Sequence, residues 1–316
     1  MLCDKIYRLK VNTAKIDGRF LVSFLRSNEA RKQMEAEASG SSASMQNIGQ
    51  DTVRNLWVPL VECTIQKRIA NYLDRETAEI DELIGEKEGM LTLLEEKRSA
   101  LISHLVTRGV NAKVTLKDSG FPWLGSIPKH WPTQRSKRLL IERDERSVTG
   151  EEEMLTVSHL TGVTKRSVKD VNMFEADSNE GYKCCSPGDL AINTLWAWMG
   201  AMGVSQDEGI VSPAYHVYRI TDDLLPAYVD ALVRTPAFVA EVTRFSKGVW
   251  SSRLRLYPEG LYEVWLPVPP LKEQAAIVET IQQEKTKSGV LESALRDSIT
   301  LLKERRAALI TAAVTG

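Results

Sequence analysis

The sequence predicts an α+β protein: one α/β domain lies between two long helices that pair as an antiparallel coiled coil, and part of a second α/β domain stands at the N-terminus. Three observations lead to this. A repeat recurs at an offset of 208 residues, two stretches of helical composition follow prolines, and a middle region punctuated by Trp, Pro and Gly carries short runs rich in β-forming residues. The 316 residues are 43% hydrophobic, ordinary for a folded chain, and 41 Lys and Arg against 42 Asp and Glu leave a net charge of -1. That balance excludes a disordered tail and a polybasic coat, so any nucleic-acid contact must come from local clusters of cations.

The repeat is read first because it sets the frame. Trp57-Val58-Pro59-Leu60, with Gln66 and Ile69 behind it, recurs as Trp265-Leu266-Pro267-Val268, with Gln274 and Ile277. The same ungapped register pairs Arg98 to Ile102 with Arg306 to Ile310, and Val106-Thr107 with Val314-Thr315. Upstream it pairs Arg26 with Arg234, Gly40 with Gly248 and Ser44 with Ser252. About 125 residues separate Gly109 from Arg234 but only 25 precede Arg26, so about half of the first repeat is expected to be missing. Tyr7-Arg8 matches Tyr218-Arg219 only across a gap of about three residues.

From Glu62 to Thr107 there is no Pro and much Glu, Lys, Leu and Ala, which predicts one long helix between Pro59 and Gly109. Its apolar stripe is expected at Ile69, Leu73, Ile80, Leu83, Met90, Leu94, Leu101 and Leu105. At 1.5 Å per residue such a helix is roughly 65 Å long, more than a globular core needs, which suits a spacer or packing arm. The second stretch, Leu271 to Val314, carries a similar stripe of Ile277, Ile281, Leu291, Leu295, Ile299, Leu302 and Leu309. Two single-stripe helices in one chain bury their stripes against each other, or each packs on a partner subunit.

Between them, Phe121 to Pro132 cannot be helix, whereas Gly188 to Asn193 and Ala214 to Ile220 read as strands and Leu224 to Arg234 and Pro236 to Phe245 as short helices. The expected division is 1–58, 59–110, 111–266 and 267–316. Cys3, Cys63, Cys184 and Cys185 have no metal-ligand spacing and are expected to stay reduced, with Cys184-Cys185 at a buried strand end. The N-terminus lacks signal-peptide character and no run of about 18 apolar residues occurs, so a cytoplasmic, membrane-free protein is expected. No phosphate loop, dinucleotide fingerprint, metalloprotease or nucleophile-elbow motif is present, nor the Asn-Pro-Pro-aromatic tetrapeptide of amino-methyltransferases. Catalysis, cofactor and metal are therefore not expected.

Two basic clusters are candidates for DNA contact. Arg135, Lys137, Arg138, Arg143 and Arg146 are diluted by acids, whereas Arg244, Lys247, Arg253 and Arg255 are interleaved with Gly248, Trp250, Ser251 and Ser252. Glycine and serine allow a backbone to approach phosphate, arginine can fork onto guanine O6 and N7, and a tryptophan supplies an apolar edge. Lys165-Arg166 would be a further contact loop, and Lys183 and Trp196 complete the candidate set with Lys247, Ser251, Ser252, Arg253 and Arg255. Taken singly, each such cluster is more often a solvated surface.

Several blocks together resemble the specificity subunit of type I restriction-modification enzymes. Trp123 to Trp131 is similar to the opening of that family's target recognition domains. Gly188 to Asn193, Ala197 to Ala201 and Gly209 to Tyr215 are similar to blocks inside them, and Leu266 to Gln274 with Glu304 to Ile310 to the spacer-helix boundaries. The resemblance implies a non-catalytic reader of double-stranded DNA. Its complete target recognition domain is 111–266, its helical spacer arms are 59–110 and 267–316, and 1–58 is the remnant of a first recognition domain. It also implies docking of adenine methyltransferase subunits and a motor-nuclease subunit, with paired helices setting the gap between half-sites. Because the first recognition domain lacks its opening and its Gly40-Ser41-Ser42-Ala43-Ser44 loop lacks arginine, bipartite reading is expected to need a homodimer. A coiled-coil interaction protein without a DNA role, and an inactive truncated remnant, are the competing readings.

Overall fold

The computed structural model describes residues 6–37, 48–168, 178–250 and 253–316. In chain order it forms α1 (Gly18–Leu25), α2 (Asn28–Glu37), α3 (Gln50–Arg54), α4 (Cys63–Arg108), β1 (Leu116–Asp118), β2 (Ser126–Pro128), β3 (Thr133–Arg135), α5 (Ser136–Leu139), β4 (Leu140–Arg143), β5 (Leu155–Ser158), β6 (Gly162–Lys165) and β7 (Lys183–Cys185). There follow β8 (Leu190–Asn193), β9 (Met202–Val204), β10 (Gly209–Val211), β11 (Tyr215–Ile220), α6 (Pro226–Val233), α7 (Pro236–Phe245), α8 (Pro258–Tyr262), β12 (Trp265–Pro267) and α9 (Leu271–Thr315). The compact units are Met1–Leu94 with Gly289–Gly316, and Glu95–Ser288, so each unit takes one end of both long helices.

The offset of 208 seen in the sequence holds element by element. Helices α1, α2 and α3 begin and end 208 residues before α6, α7 and α8, and α4 begins 208 before α9. The cap of the second helix repeats too: Ser27 Oγ accepts from Ala30 N–H at 3.3 Å, and Thr235 Oγ1 accepts from Phe238 N–H at 3.3 Å. Two fully buried side-chain amides repeat in every bond. Gln66 Oε1 accepts from Asp17 N–H at 2.8 Å, and its Nε2 donates to Lys15 O at 3.0 Å and Val61 O at 2.7 Å. Gln274 Oε1 accepts from Leu225 N–H at 2.7 Å, and its Nε2 donates to Asp223 O at 2.9 Å and Pro269 O at 2.7 Å. All three partners of one amide lie 208 residues from those of the other, which extends the ungapped register to Lys15.

In the first unit, Phe20, Phe24 and Ala30 pack with Leu73, Ile310 and Val314, and Ile80 and Ile84 pack with Ile299. Partner numbers fall along α9 as they rise along α4, so the helices run antiparallel, and Arg306 forks onto Asp81 at 2.8 and 3.1 Å in the same sense. The buried face of α4 follows a strict alternation of four and three from Gln66 through Ala70, Leu73, Thr77, Ile80 and Ile84. Leu83, Met90 and Leu291, expected on the stripes, are exposed because each lies one residue off that seam, beside Ile84, Leu91 and Glu292.

In the second unit, a four-stranded antiparallel sheet of order β4-β11-β8-β9 backs onto α6 and α7, with two-stranded pairs β1-β2, β3-β12, β5-β6 and β7-β10 around it. The aromatic and proline segment supplies β2, which pairs with β1, and then buries Trp131 completely, its indole donating to Glu273 Oε2 at 2.9 Å. Gly109 ends α4 with φ of 76°, and a Cβ there would lie 3.2 Å from the Trp131 ring, so both backbone and space require glycine. The same core takes Leu105 and Val106 of α4 and Ile277 and Ile281 of α9. Cys185 lies at the end of β7 with its thiol pushed up to about 12, by burial first and by the Asp189 carboxylate second.

Two outcomes follow. Replacing Gln274 with leucine strands the Leu225 N–H and two carbonyls without water, which costs about 3 kcal/mol in urea unfolding; an unchanged midpoint would contradict this role. Iodoacetamide at pH 8 should modify Cys185 only after unfolding, as read by mass spectrometry, whereas rapid native labelling would show that the buried thiol is accessible.

Candidate nucleic-acid interface

The stronger basic cluster is a small loop with a defined stem. Helix α7, started by the Thr235 cap, delivers the chain to Lys247, and Lys247 and Arg255 exchange both backbone hydrogen bonds at 2.9 Å. Inside the stem Arg253 N–H donates to Trp250 O at 2.8 Å. A Cβ on Gly248 would lie 2.5 Å from Arg253 O, so only glycine lets the two sides of the loop approach this closely. Buried Leu256 anchors the return and donates to Thr194 O at 3.2 Å, which sets the stem beside the turn that carries Trp196.

That turn leaves β8 at Asn193, whose side chain donates to the Tyr215 hydroxyl at 2.9 Å and accepts from Leu195 N–H at 3.2 Å. Trp196 stacks on Trp198 with ring centroids 6.4 Å apart and planes 15° from parallel, and half of its surface is exposed. Val249 and Trp250 stand out at 92% and 70% exposure, the opposite of where large apolar groups usually rest. Lys247, Arg253 and Arg255 are exposed and form no ion pair with the described residues. The structure therefore brings Trp196, Lys247, Arg253 and Arg255 into one neighbourhood. Ser251 and Ser252 fall outside the described residues, as does the Gly40 to Ser44 loop.

Other candidates are placed differently. Lys165 ends β6 and pairs with Asp207 at 3.1 Å, and Arg166 begins the following 3-10 turn, its backbone N–H donating to Met154 O. Lys183 is a correction: its side chain is buried in β7 and its ammonium meets Asp144 at 3.4 Å, so it supports the sheet rather than facing a ligand. Burial works against the Asp144 carboxylate, yet the Arg146 hydrogen bond and the Lys183 charge hold it below the usual range. Arg244 is exposed but already engaged, bound to Glu241 at 2.7 Å and lying over the Phe245 ring at 4.1 Å.

In the first basic cluster three of the five cations are paired, while Lys137 and Arg138 are exposed and form no ion pair with the described residues. Arg135 pairs with Glu263, Arg146 with Asp144 at 2.9 Å, and Arg143 with Glu145 and, at 2.8 Å, with Asp189. Desolvation pulls the Arg143 guanidinium down, and its hydrogen bonds to Glu145 and Asp189 overcome this and raise it. Val249 was not singled out in the sequence; the signal was an apolar pair set between Gly248 and Arg253. Among the described residues no group of His, Cys, Asp and Glu could hold a metal ion, and no helix is long and apolar enough to cross a membrane.

No family model matches the chain. It is 20% identical over 338 aligned residues to the EcoBI type I restriction enzyme specificity subunit of Escherichia coli, covering 100% of this chain and 69% of that protein. A chain from a structural study of complex assembly and conformational transition in the type I R-M system shares the fold with a TM-score of 0.70 and 16% identity, covering 98% of this chain and 73% of the other. The HsdS subunit from Thermoanaerobacter tengcongensis has a TM-score of 0.51 and 17% identity, covering 96% of this chain and 71% of the other. In fold, and in sequence along its full length, the chain is similar to the specificity subunits of type I restriction enzymes.

Proposed function

We propose that this chain is a non-catalytic reader of duplex DNA, and that the 247–255 loop with the Trp196 turn carries the reading surface for one half-site. The observation that carries the proposal is the loop itself: three cations without acidic partners among the described residues, on a stem fixed by two main-chain bonds, with Val249 and Trp250 at its tip. A chain of net charge -1 cannot rely on a diffuse positive field, so affinity must come from such positioned groups. Arg253 and Arg255 supply planar forks for guanine O6 and N7, Lys247 a point charge for phosphate, and the apolar tip a contact for thymine methyl groups. Lys165 and Arg166 add contacts at the edge once Lys165 leaves Asp207.

The resemblance supports the rest of the assignment. Residues 111–266 act as the target recognition domain, and 59–110 and 267–316 as helical arms that dock adenine methyltransferase subunits and, through them, a motor-nuclease subunit. Modification of an adenine requires the base to be flipped into a pocket that those partners provide. The second half-site is read by a second copy of the chain within the assembled complex.

Three measurements test this reading. Arg253→Ala and Arg255→Ala should each weaken binding to the cognate duplex about 10-fold, equivalent to the 1–3 kcal/mol of a forked base contact, with unchanged melting temperature. Lys247→Ala should weaken binding to all duplexes alike and reduce the slope of log affinity against log salt by about one. Unaltered affinity in all three variants would place the reading surface elsewhere. Sequencing the methylome of cells that carry the chain with an adenine methyltransferase subunit should give a bipartite motif with symmetric halves, and asymmetric halves would exclude reading by two copies.

A further inference from the structure

Within the second unit a cleft of about 560 Å³ opens between the β5-β6 turn, the turn after β8 and one face of α7. Two of these walls also carry the reading surface. Trp198 shares its turn with Trp196, and Thr243 lies on the last turn of α7, from which the chain runs on to Lys247. The Trp198 ring is oriented by its indole, which donates to Leu195 O at 3.0 Å, and by the stack on Trp196. Met199, Val239 and Ala240 add apolar walls, and Gly200, with φ of 87°, brings the turn onto α7 where a Cβ would lie 3.1 Å from Val239 Cγ2.

The polar side of the cleft is cationic. Arg234 Nη2 donates to Leu160 O at 2.7 Å, and a Cβ on Gly162 would come within 3.3 Å of Arg234 Nη1, so the guanidinium is fixed against the β5-β6 turn. His159 lines the cleft from the same turn and is exposed. Among the described residues no Asp or Glu lines it. The space belongs to the repeat. A cavity of the same volume, about 560 Å³, occurs in the first unit, where Arg26, Asn28, Arg31 and Glu35 stand at the positions of Arg234, Pro236, Val239 and Thr243. It persists although its wall changes from charged to apolar, which sets it apart from a packing defect of one unit. Among the described residues the tryptophan and the histidine line the second cavity alone.

An aromatic wall, apolar sides, a fixed cation and no carboxylate suit a flat heterocycle that carries an anion, and the volume is that of a small-molecule site. Beside a loop that reads duplex DNA, the ligand with this chemistry is a nucleotide outside the stack. We propose that the cleft captures one unpaired nucleotide of bound DNA, with its base against Trp198, its edge in reach of His159 and its phosphate on Arg234. A paired base keeps both faces stacked and cannot enter, so the cleft favours DNA in which a pair has opened. The inference rests on the 247–255 loop meeting DNA, and the two are separable by measurement.

The probes are two duplexes of one sequence, fully paired or carrying a single unpaired 2-aminopurine, added to the full chain. The interrupted duplex should bind about 10-fold more tightly, the worth of one base stacked on an aromatic ring, and its 2-aminopurine fluorescence should be quenched. Ala240→Phe, at an exposed helical position that lines the cleft, should fill it and cancel both the preference and the quenching, and His159→Ala should reduce the preference. Arg253→Ala should weaken both duplexes alike and leave their ratio unchanged. Equal affinity of the chain for the two duplexes, or a preference that survives Ala240→Phe, overturns the capture site. An Arg253→Ala variant with unchanged affinity for both would instead count against the reading loop, while the ratio still reports on the cleft.

Discussion

The fold depends on a buried amide used twice. Each of Gln66 and Gln274 lies where a loop must turn onto a short helix, α1 or α6, while the long helix begins beside it. The turn leaves one N–H and two carbonyls pointing inward, and a helix start has carbonyls and donors of its own to settle. A glutamine side chain has one acceptor and two donor hydrogens on a rigid plane, which matches that set. Asparagine is too short to reach across, glutamate would present an oxygen to two carbonyls, and an apolar residue would leave all three groups bare. The long helix is thereby tied to the globular part of its unit by polar geometry, while the apolar seam supplies attraction without direction.

Near-neutral charge acquires a structural account as well. Six of the cations that looked available are paired: Arg135, Arg143, Arg146, Lys165, Lys183 and Arg244 each face a carboxylate within the second unit. Such pairs add little to stability where water reaches them, but they cancel the field around the domain. On the 247–255 loop, Lys247, Arg253 and Arg255 meet no carboxylate among the described residues, so the potential there is local and short-ranged, screened within about 8 Å at physiological salt. A surface of this kind discriminates by contact, not by attraction at a distance.

The repeat, both long helices, the short helices α6 and α7 and the strands β8 and β11 were legible in the sequence, because periodicity, proline placement and β-branched runs are local signals. The stripe on α4 was legible only in part: Leu83 and Met90 satisfy an apolar spacing, but the seam follows geometry from Gln66, and a side chain one residue off faces water however apolar it is. The cluster at 135–146 is legible as diluted by nearby acids, but ion pairs such as Arg143 with Asp189 join residues 46 positions apart and no composition window sees them. Lys183 was misplaced for the same reason, its acid coming from a bridge across to Asp144. The loop from Lys247 was found because glycine, cations and tryptophan are adjacent in the chain, although its stem was not visible.

That stem is closed by main-chain atoms of Lys247 and Arg255 and by the missing side chain of Gly248, and it is anchored by one leucine. None of these requirements touches the identity of the residues at the tip. The tip can therefore be rewritten by substitution without cost to the domain beneath it, as long as the glycine and the leucine stay. Mutational tolerance and change of preference are thus separated in space: a drifting gene could alter what the loop meets long before it threatened folding.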